Sequence, residues 1–232
     1  MKMKVAQCWD DGVATDMRLI EILRKHNAKA TFNLCPGNMD EETQMPYWVS
    51  PTDFCDWNFH GFRGGKVGRK DLLRVYGDFK VASHCWQHET VGRVSDEVFL
   101  KAAADAKKFL EDTFQRECPG FAYPCGVHTP KTEQMLKDAG FRYGRTTENT
   151  ENVTACADPI ALNSSCHFMA WDFWQRYDNA KKNGGAFYFW GHSYEMMEYD
   201  TLWDRFDAMI RKISSDPDVE WVDVIDLVPL CK

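Results

Sequence analysis

A single α/β domain, its parallel sheet closed or nearly closed into a distorted barrel of about seven strands, is the fold that this 232-residue sequence predicts. Three observations carry that expectation. Short β-prone runs alternate with stretches of helical spacing from one end of the chain to the other. No repeat or interdomain linker interrupts the alternation, so residues 1–232 read as one domain. The most reactive side chains fall just after the expected strands, at the sheet edge where such folds build their sites. An open doubly wound sheet is the alternative.

The elements follow in order. Val5 to Trp9 is the first strand, stopped by Asp10-Asp11-Gly12, and Met17, Leu19, Ile20, Ile22, Leu23 and His26 then keep helical spacing up to Asn27. Ala30 to Leu34 is a second strand that ends at Pro36-Gly37. From there to about Arg69, Gly, Pro and aromatic residues without period predict a rim loop insertion over residues 36–69. Phe79 to Ser83 is a third strand, after which Ser95 caps a helix with Val98, Ala102, Ala106, Phe109 and Leu110 in one stripe. Phe121 to Tyr123 forms a strand before Pro124, and Thr129-Pro130 opens a helix that Gly140 closes. Phe141 to Thr146 returns as a strand. Beyond Asp158-Pro159, a helix from about Ala170 to Lys182, a buried strand Ala186 to Trp190, a helix Thr201 to Ile213 and a last strand Val219 to Val224 complete the pattern.

Composition narrows the function classes. With 44% hydrophobic and 27% charged residues the chain is globular, not disordered or fibrous. Lys and Arg number 28 against 35 Asp and Glu, a net charge of −7, and no basic run exists to neutralise a phosphate backbone, which argues against a nucleic-acid partner. No apolar stretch reaches the roughly 18 residues of a bilayer-spanning helix, and Met1 to Cys8 lacks a signal-peptide pattern, so a cytoplasmic protein without membrane partners is expected. The nine cysteines are scattered, odd in number and without a CxxC pair, which favours reduced thiols over a disulfide framework. Nothing in the sequence sets the oligomeric state.

The groups just beyond the strand ends are Asp10-Asp11, His84 and His88, Pro124-Cys125-Gly126, and His192 in Trp190-Gly191-His192-Ser193. Asp11, His84 and His88 offer one carboxylate and two imidazoles, a set that holds a divalent transition metal and leaves positions open for water and substrate. The spacing of His84 and His88 is that of one helical turn, which would place both rings on one side. Two histidines so spaced also occur on ordinary solvated turns, Asp-Asp-Gly is by itself a common turn, and a lone histidine after an apolar run is often a core residue. The combination at one rim favours chemistry. Adjacent acids divide the labour, one binding a metal while the other takes a proton from water.

These residues resemble the polysaccharide deacetylases, the NodB-homology domain or carbohydrate esterase family 4, over nearly the whole chain. The family's TFDDG motif is similar to Cys8-Trp9-Asp10-Asp11-Gly12, its HSxxH motif to His84-Cys85-Trp86-Gln87-His88, and its strand-end LxH to Phe189-Trp190-Gly191-His192. The third motif, an Arg shortly before a Pro-x-Gly, matches in part, as Ala122-Tyr123-Pro124-Cys125-Gly126. The resemblance implies a NodB-type barrel, Asp10 as general base, Asp11, His84 and His88 as metal ligands, His192 as general acid, and the Cys125 N–H as an oxyanion donor. Tyr123, Gly126 and His167 join Cys125 as expected oxyanion or substrate-side residues. The family's Arg, which tethers the catalytic Asp, is replaced by Ala122; Arg63, Arg142 and Arg145 are the candidate substitutes. The fourth motif, an Asp-Trp element, is replaced by Asn163 to His167, with Asp172 and Glu195 as candidate orienters of His192.

The implied activity is removal of acetyl groups from an N-acetylated sugar, with zinc the first expected ion and cobalt, nickel or manganese the alternatives. The expected substrates are monosaccharides, sugar conjugates or short oligosaccharides. An allantoinase-like cyclic amide hydrolase, an iron oxygenase with the same ligand set, and a sugar-binding protein without activity are the rivals. Trp48, Trp57, Phe59 and Phe62 are expected to pack the rim loop on the barrel, with stacking on sugar rings as the alternative.

Overall fold

A computed structural model describes residues 2–49, 61–199 and 201–231. Strands β1 (Met3–Asp10), β2 (Thr31–Leu34), β5 (Lys80–Ser83), β6 (Gly120–Ala122), β7 (Tyr143–Asn149), β8 (Leu162–Ser164), β9 (Cys166–His167), β10 (Ala186–Gly191) and β11 (Val219–Trp221) form one sheet among the described residues. Its order is β8-β7-β6-β5-β2-β1-β10-β9, with β11 also beside β1, and every pairing is parallel. The two ends of that path, β8 and β9, are separated by a single residue, Ser165, whose N–H reaches the Tyr188 carbonyl of β10 at 2.6 Å. The sheet is therefore nearly closed into a barrel, as expected from the alternation.

Helices α1 (Asp16–Lys25), α2 (Leu72–Tyr76), α3 (Asp96–Phe114), α4 (Pro130–Asp138), α5 (Phe173–Lys182) and α6 (Thr201–Ser214) surround it. Ser95 caps α3 as anticipated, its hydroxyl accepting from the Val98 N–H at 3.3 Å, and Thr129 and Thr132 form a capping box at α4. A two-stranded antiparallel ribbon, β3 (Tyr47–Trp48) and β4 (Phe62–Arg63), occupies the rim insertion. There Phe62 is buried and its ring lies 5.0 Å from that of Trp48, which stays exposed; Trp57 and Phe59 lie outside the described residues.

Because strand side chains alternate, each strand divides its residues between two environments. In β1, Met3, Val5 and Trp9 join the apolar layer under the helices, while Ala6 and Cys8 join the barrel interior. The same parity sends Phe187 and Phe189 of β10 outward and Ala186 and Tyr188 inward. Trp9, fully buried, packs edge-on to Phe206 of α6 at 5.3 Å and against Phe168 at 5.1 Å. This layer anchors the strand that carries Asp10. Continuing the inward parity leads to Asp10 on β1, Asn33 on β2, Arg145 on β7 and, one residue past the strand ends, His84 and His192.

Candidate active site

Asp10 closes β1 with its carboxylate inside the barrel and almost wholly buried. Its Oδ1 accepts from the Asn33 Nδ2 at 2.7 Å, from the residue that pairs with it in the neighbouring strand, and its Oδ2 accepts from the Arg145 guanidinium. Burial alone would raise the carboxyl, but Arg145 first, then His84 and His192, hold it below the ordinary carboxylate range. Of the three candidate arginines, Arg145 is thus the one whose guanidinium reaches Asp10. It stands directly alongside Ala122 in the β6–β7 register, so the small alanine leaves the space and the neighbouring strand supplies the charge. Arg142 instead points to Glu117 at the surface, and Arg63 lies beside Tyr47 in the rim insertion.

Asp11 follows in a left-handed conformation, φ 79°, which swings its carboxylate away from the strand direction. Its carbonyl accepts from the Lys66 ammonium at 2.9 Å, and against burial, which raises its pKa, Lys66 and the three histidines hold it well below the ordinary value. Asp11, His84 and His88 bring one ligand atom each within 4.8 Å of one another. The His84 Nδ1–H donates to the Ala122 carbonyl at 2.7 Å, which leaves Nε2 as the lone-pair atom; Nε2 lies 3.9 Å from Asp11 Oδ1. Burial pushes the His84 pKa down to about 4, so the ring is neutral and ligand-ready at pH 7. The donor set and its outer hydrogen bond fit a divalent transition ion.

One expectation is corrected here. His84 and His88 do not share a helical turn: the segment is a non-helical loop in which Cys85 and His88 adopt positive φ, 62° and 69°. The loop still brings the rings to 4.8 Å, nearly perpendicular, starting from an end that is pinned by the His84 bond to Ala122 and by Cys85 in the core.

His192 follows β10 and its Nε2 lies 3.9 Å from Asp10 Oδ2 and 4.0 Å from Asp11 Oδ2. Its Nδ1 is 3.3 Å from Glu195 Oε1, and its backbone N–H donates to Glu195 Oε2 at 3.0 Å. Burial lowers the imidazole pKa, but Glu195, Asp11 and Asp10 outweigh it and raise it to about 9. His167 lies behind that pair: its Nε2 sits 3.0 Å from Glu195 Oε2 and its Nδ1 accepts from the Met169 N–H at 3.2 Å. Glu195 therefore bridges the two imidazoles, whereas Asp172 pairs with Arg176 at 2.8 Å.

Cys125 sits on the one-turn 3₁₀ helix Pro124–Gly126 with φ 57°, exposed, its Sγ 3.8 Å from the Thr90 hydroxyl two residues beyond His88. Tyr123 is buried against Phe121 and donates to the Ile160 carbonyl at 2.9 Å, so its ring supports the turn from behind. Beside Asp11 opens a cavity of about 340 Å³ whose walls include Tyr47, Phe62, Lys66 and Tyr194. Asn33 and Lys66 were not singled out by the sequence reasoning; Asn33 was legible as the inward polar residue of a strand otherwise made of Thr31, Phe32 and Leu34.

The family model for polysaccharide deacetylases matches residues 1–144, more than half of the chain and both motifs that hold Asp10, Asp11, His84 and His88. The chain belongs to the polysaccharide deacetylase family. Solved structures of deacetylases and esterases share its fold. A family 4 acetyl xylan esterase from Clostridium thermocellum, in complex with a cobalt ion, aligns with 17% identity over 98% of this chain and 91% of its own, with a TM-score of 0.57. The peptidoglycan deacetylase PdaC from Bacillus subtilis aligns with 16% identity over 99% and 91%, at 0.55. The Streptococcus pyogenes deacetylase PplD, in complex with acetate, aligns with 20% identity over 67% of this chain and only 61% of that one, at 0.50. No curated protein matches in sequence. Of the residues that the motifs left open, Arg145 pairs with Asp10, and Glu195 is the carboxylate beside the strand-end histidine.

Proposed function

We propose that this polysaccharide deacetylase family member is a metal-dependent amide hydrolase that removes the acetyl group of an N-acetylated sugar or oligosaccharide and releases acetate. The observation that carries the reading is the convergence on one rim of the Asp11-His84-His88 donor set with a clamped carboxylate, Asp10, and a carboxylate-backed imidazole, His192. A divalent ion, zinc first and cobalt, nickel or manganese as alternatives, supplies Lewis acidity toward the amide carbonyl and acidifies water when bound.

The protein's own groups do the rest. Asp10, kept ionised by Arg145 and aimed by Asn33, takes the proton of the attacking water. The Cys125 N–H, presented by its left-handed turn, supports the oxyanion, with Tyr123 and Gly126 shaping that turn. His192 protonates the leaving amine. With the Asp10 carboxyl lowered and the His192 ring raised to about 9, neutral pH holds an ionised base and a protonated acid side by side, the pairing that the reaction requires. His167 contributes through Glu195.

The replacement of the third-motif Arg by Arg145 supports an active enzyme over a sugar-binding relative without activity. The scattered thiols of the sequence, odd in number and without a CxxC pair, favour a reducing compartment and thus an intracellular site of action. No helix among the described residues is long and apolar enough to cross a membrane.

The test separates chemistry from metal binding. Asp11→Asn, His84→Ala and His88→Ala are expected to lose bound metal, whereas Asp10→Asn and His192→Ala keep it and lower kcat roughly 10²- to 10⁴-fold. Metal analysis and acetate release from N-acetylglucosamine oligomers, with allantoin as the competing substrate, read both. Full metal content in the His84 and His88 variants, or turnover of allantoin alone, would sink the proposal.

A further inference from the structure

Behind the groups that face the cavity lies a second polar cluster, fully buried. Asp16, the first residue of α1 and five beyond Asp11, has no solvent exposure. Its Oδ1 accepts from the Ser193 hydroxyl and its Oδ2 from the Tyr76 hydroxyl at 2.7 Å. Since the single Ser193 proton goes to Asp16, the Ser193 oxygen accepts in turn from the Thr15 hydroxyl at 2.7 Å. A carboxylate is a costly group to bury, and an apolar residue would serve for packing α1 on the sheet. What this one does instead is join three segments: the start of α1, which follows the turn carrying Asp11, the turn after β10 that carries His192, and α2.

The consequence falls on His192. Its ring is steadied by Glu195 from within the same turn, but that turn is tied to the rest of the site through Ser193, the residue next in the chain. We propose that Asp16 is a positioning residue that, through Ser193, sets where His192 stands relative to Asp10 and Asp11. The proposal rests on the reading of His192 as the acid that protonates the leaving amine. Asp10 is held separately, by Asn33 and Arg145, and His84 by the Ala122 carbonyl, so the link bears most directly on His192.

A misplaced acid has a chemical signature that loosened packing lacks. An amide needs its leaving nitrogen protonated, whereas 4-nitrophenyl acetate carries the same acetyl group on a leaving group that departs without a proton. Asp16→Asn and Ser193→Ala are therefore expected to lower kcat for an N-acetylglucosamine oligomer about 10- to 100-fold with little change in KM. Hydrolysis of 4-nitrophenyl acetate should stay within about threefold, metal content should be unchanged, and the double variant should lose no more than either single one. Should Asp16→Asn fail to fold, Ser193→Ala alone carries the comparison. Equal losses on amide and aryl ester, or an unaffected amide rate, overturn the positioning role. His192→Ala run alongside keeps the two ideas apart: if it too lowers both substrates alike, the acid assignment has failed, and the positioning role with it.

Discussion

Arg145 and Asp10 form the most deeply buried ion pair in the site, with side chains 1% and 3% exposed. Two charges out of water are tolerated only while each has the other, and the Asp10 oxygens left over are satisfied by Asn33. Removing one partner strands the other. Arg145→Met is expected to reduce the unfolding free energy by about 3–5 kcal/mol, measured by urea denaturation, and to lower kcat as Asp10 loses the charge that keeps it ionised. Because Ala122 and Arg145 are register neighbours, Ala122→Arg placed in an Arg145→Ala background returns a guanidinium to the same carboxylate and should recover part of both losses. A double variant no better than Arg145→Ala would show that the strand of origin matters as much as the charge.

Between elements, the site depends on turns that only particular residues can make. Gly126 has φ 71°, and a Cβ there would lie 2.0 Å from the Thr147 hydroxyl on β7, so Gly126→Ala must deform the turn that presents the Cys125 N–H. Its expected effect is a fall in kcat at unchanged metal content; an unchanged kcat would remove that turn from the chemistry. The junction at Asp16 yields a pH prediction. Burial raises its carboxyl to about 7 despite the Ser193 and Tyr76 hydroxyls, while in the unfolded chain it titrates near about 3.9. The folded protein therefore binds the extra proton between those values. The stability this contributes is complete below about pH 4 and is lost as pH rises through 7. Denaturant titrations of the parent and Asp16→Asn across that range should show their stability difference shifting against the parent as pH rises. A difference that does not vary with pH would contradict the raised value.

At the scale of the whole molecule, nearly every part of the barrel sends a residue to one end of it. β1, β2, β5, β7 and β10 contribute Asp10, Asn33, His84, Arg145 and His192. Asp11, His84 and His88 reach one point from different segments, so a cation held there would bind the folded chain and not the unfolded one and add its binding free energy to the fold. Chelation is accordingly expected to lower the melting temperature as well as abolish acetate release, and returning zinc should restore both in a concentration-dependent way. Asp11→Asn should show a melting temperature indifferent to chelator, whatever its new value.

Most strands of the barrel were legible in the sequence because they follow from local physics; β8 and β9, which bring the ends of the sheet together, were not, being too short to show a period. A run such as Val5 to Trp9 declares its period of two within a few residues, and that period continued by one step places Asp10 inside and carries His84 and His192 to the rim. Asp11, His84, His88 and His192 could be named for the same reason, each lying just past a strand end. What tertiary structure alone decided are relations between distant segments. The sequence offered three arginines for Asp10, and the β6–β7 register chose Arg145; it offered Asp172 and Glu195 for His192, and the turn after β10 chose Glu195. Helical spacing suggested one turn for His84 and His88, yet the segment is a loop with left-handed residues at Cys85 and His88. Asp16 and Ser193 stand 177 positions apart, and no local pattern encodes their hydrogen bond. Periodicity is a property of neighbours in the chain, whereas register, strained turns and buried polar contacts are set by whichever packing satisfies all the elements at once.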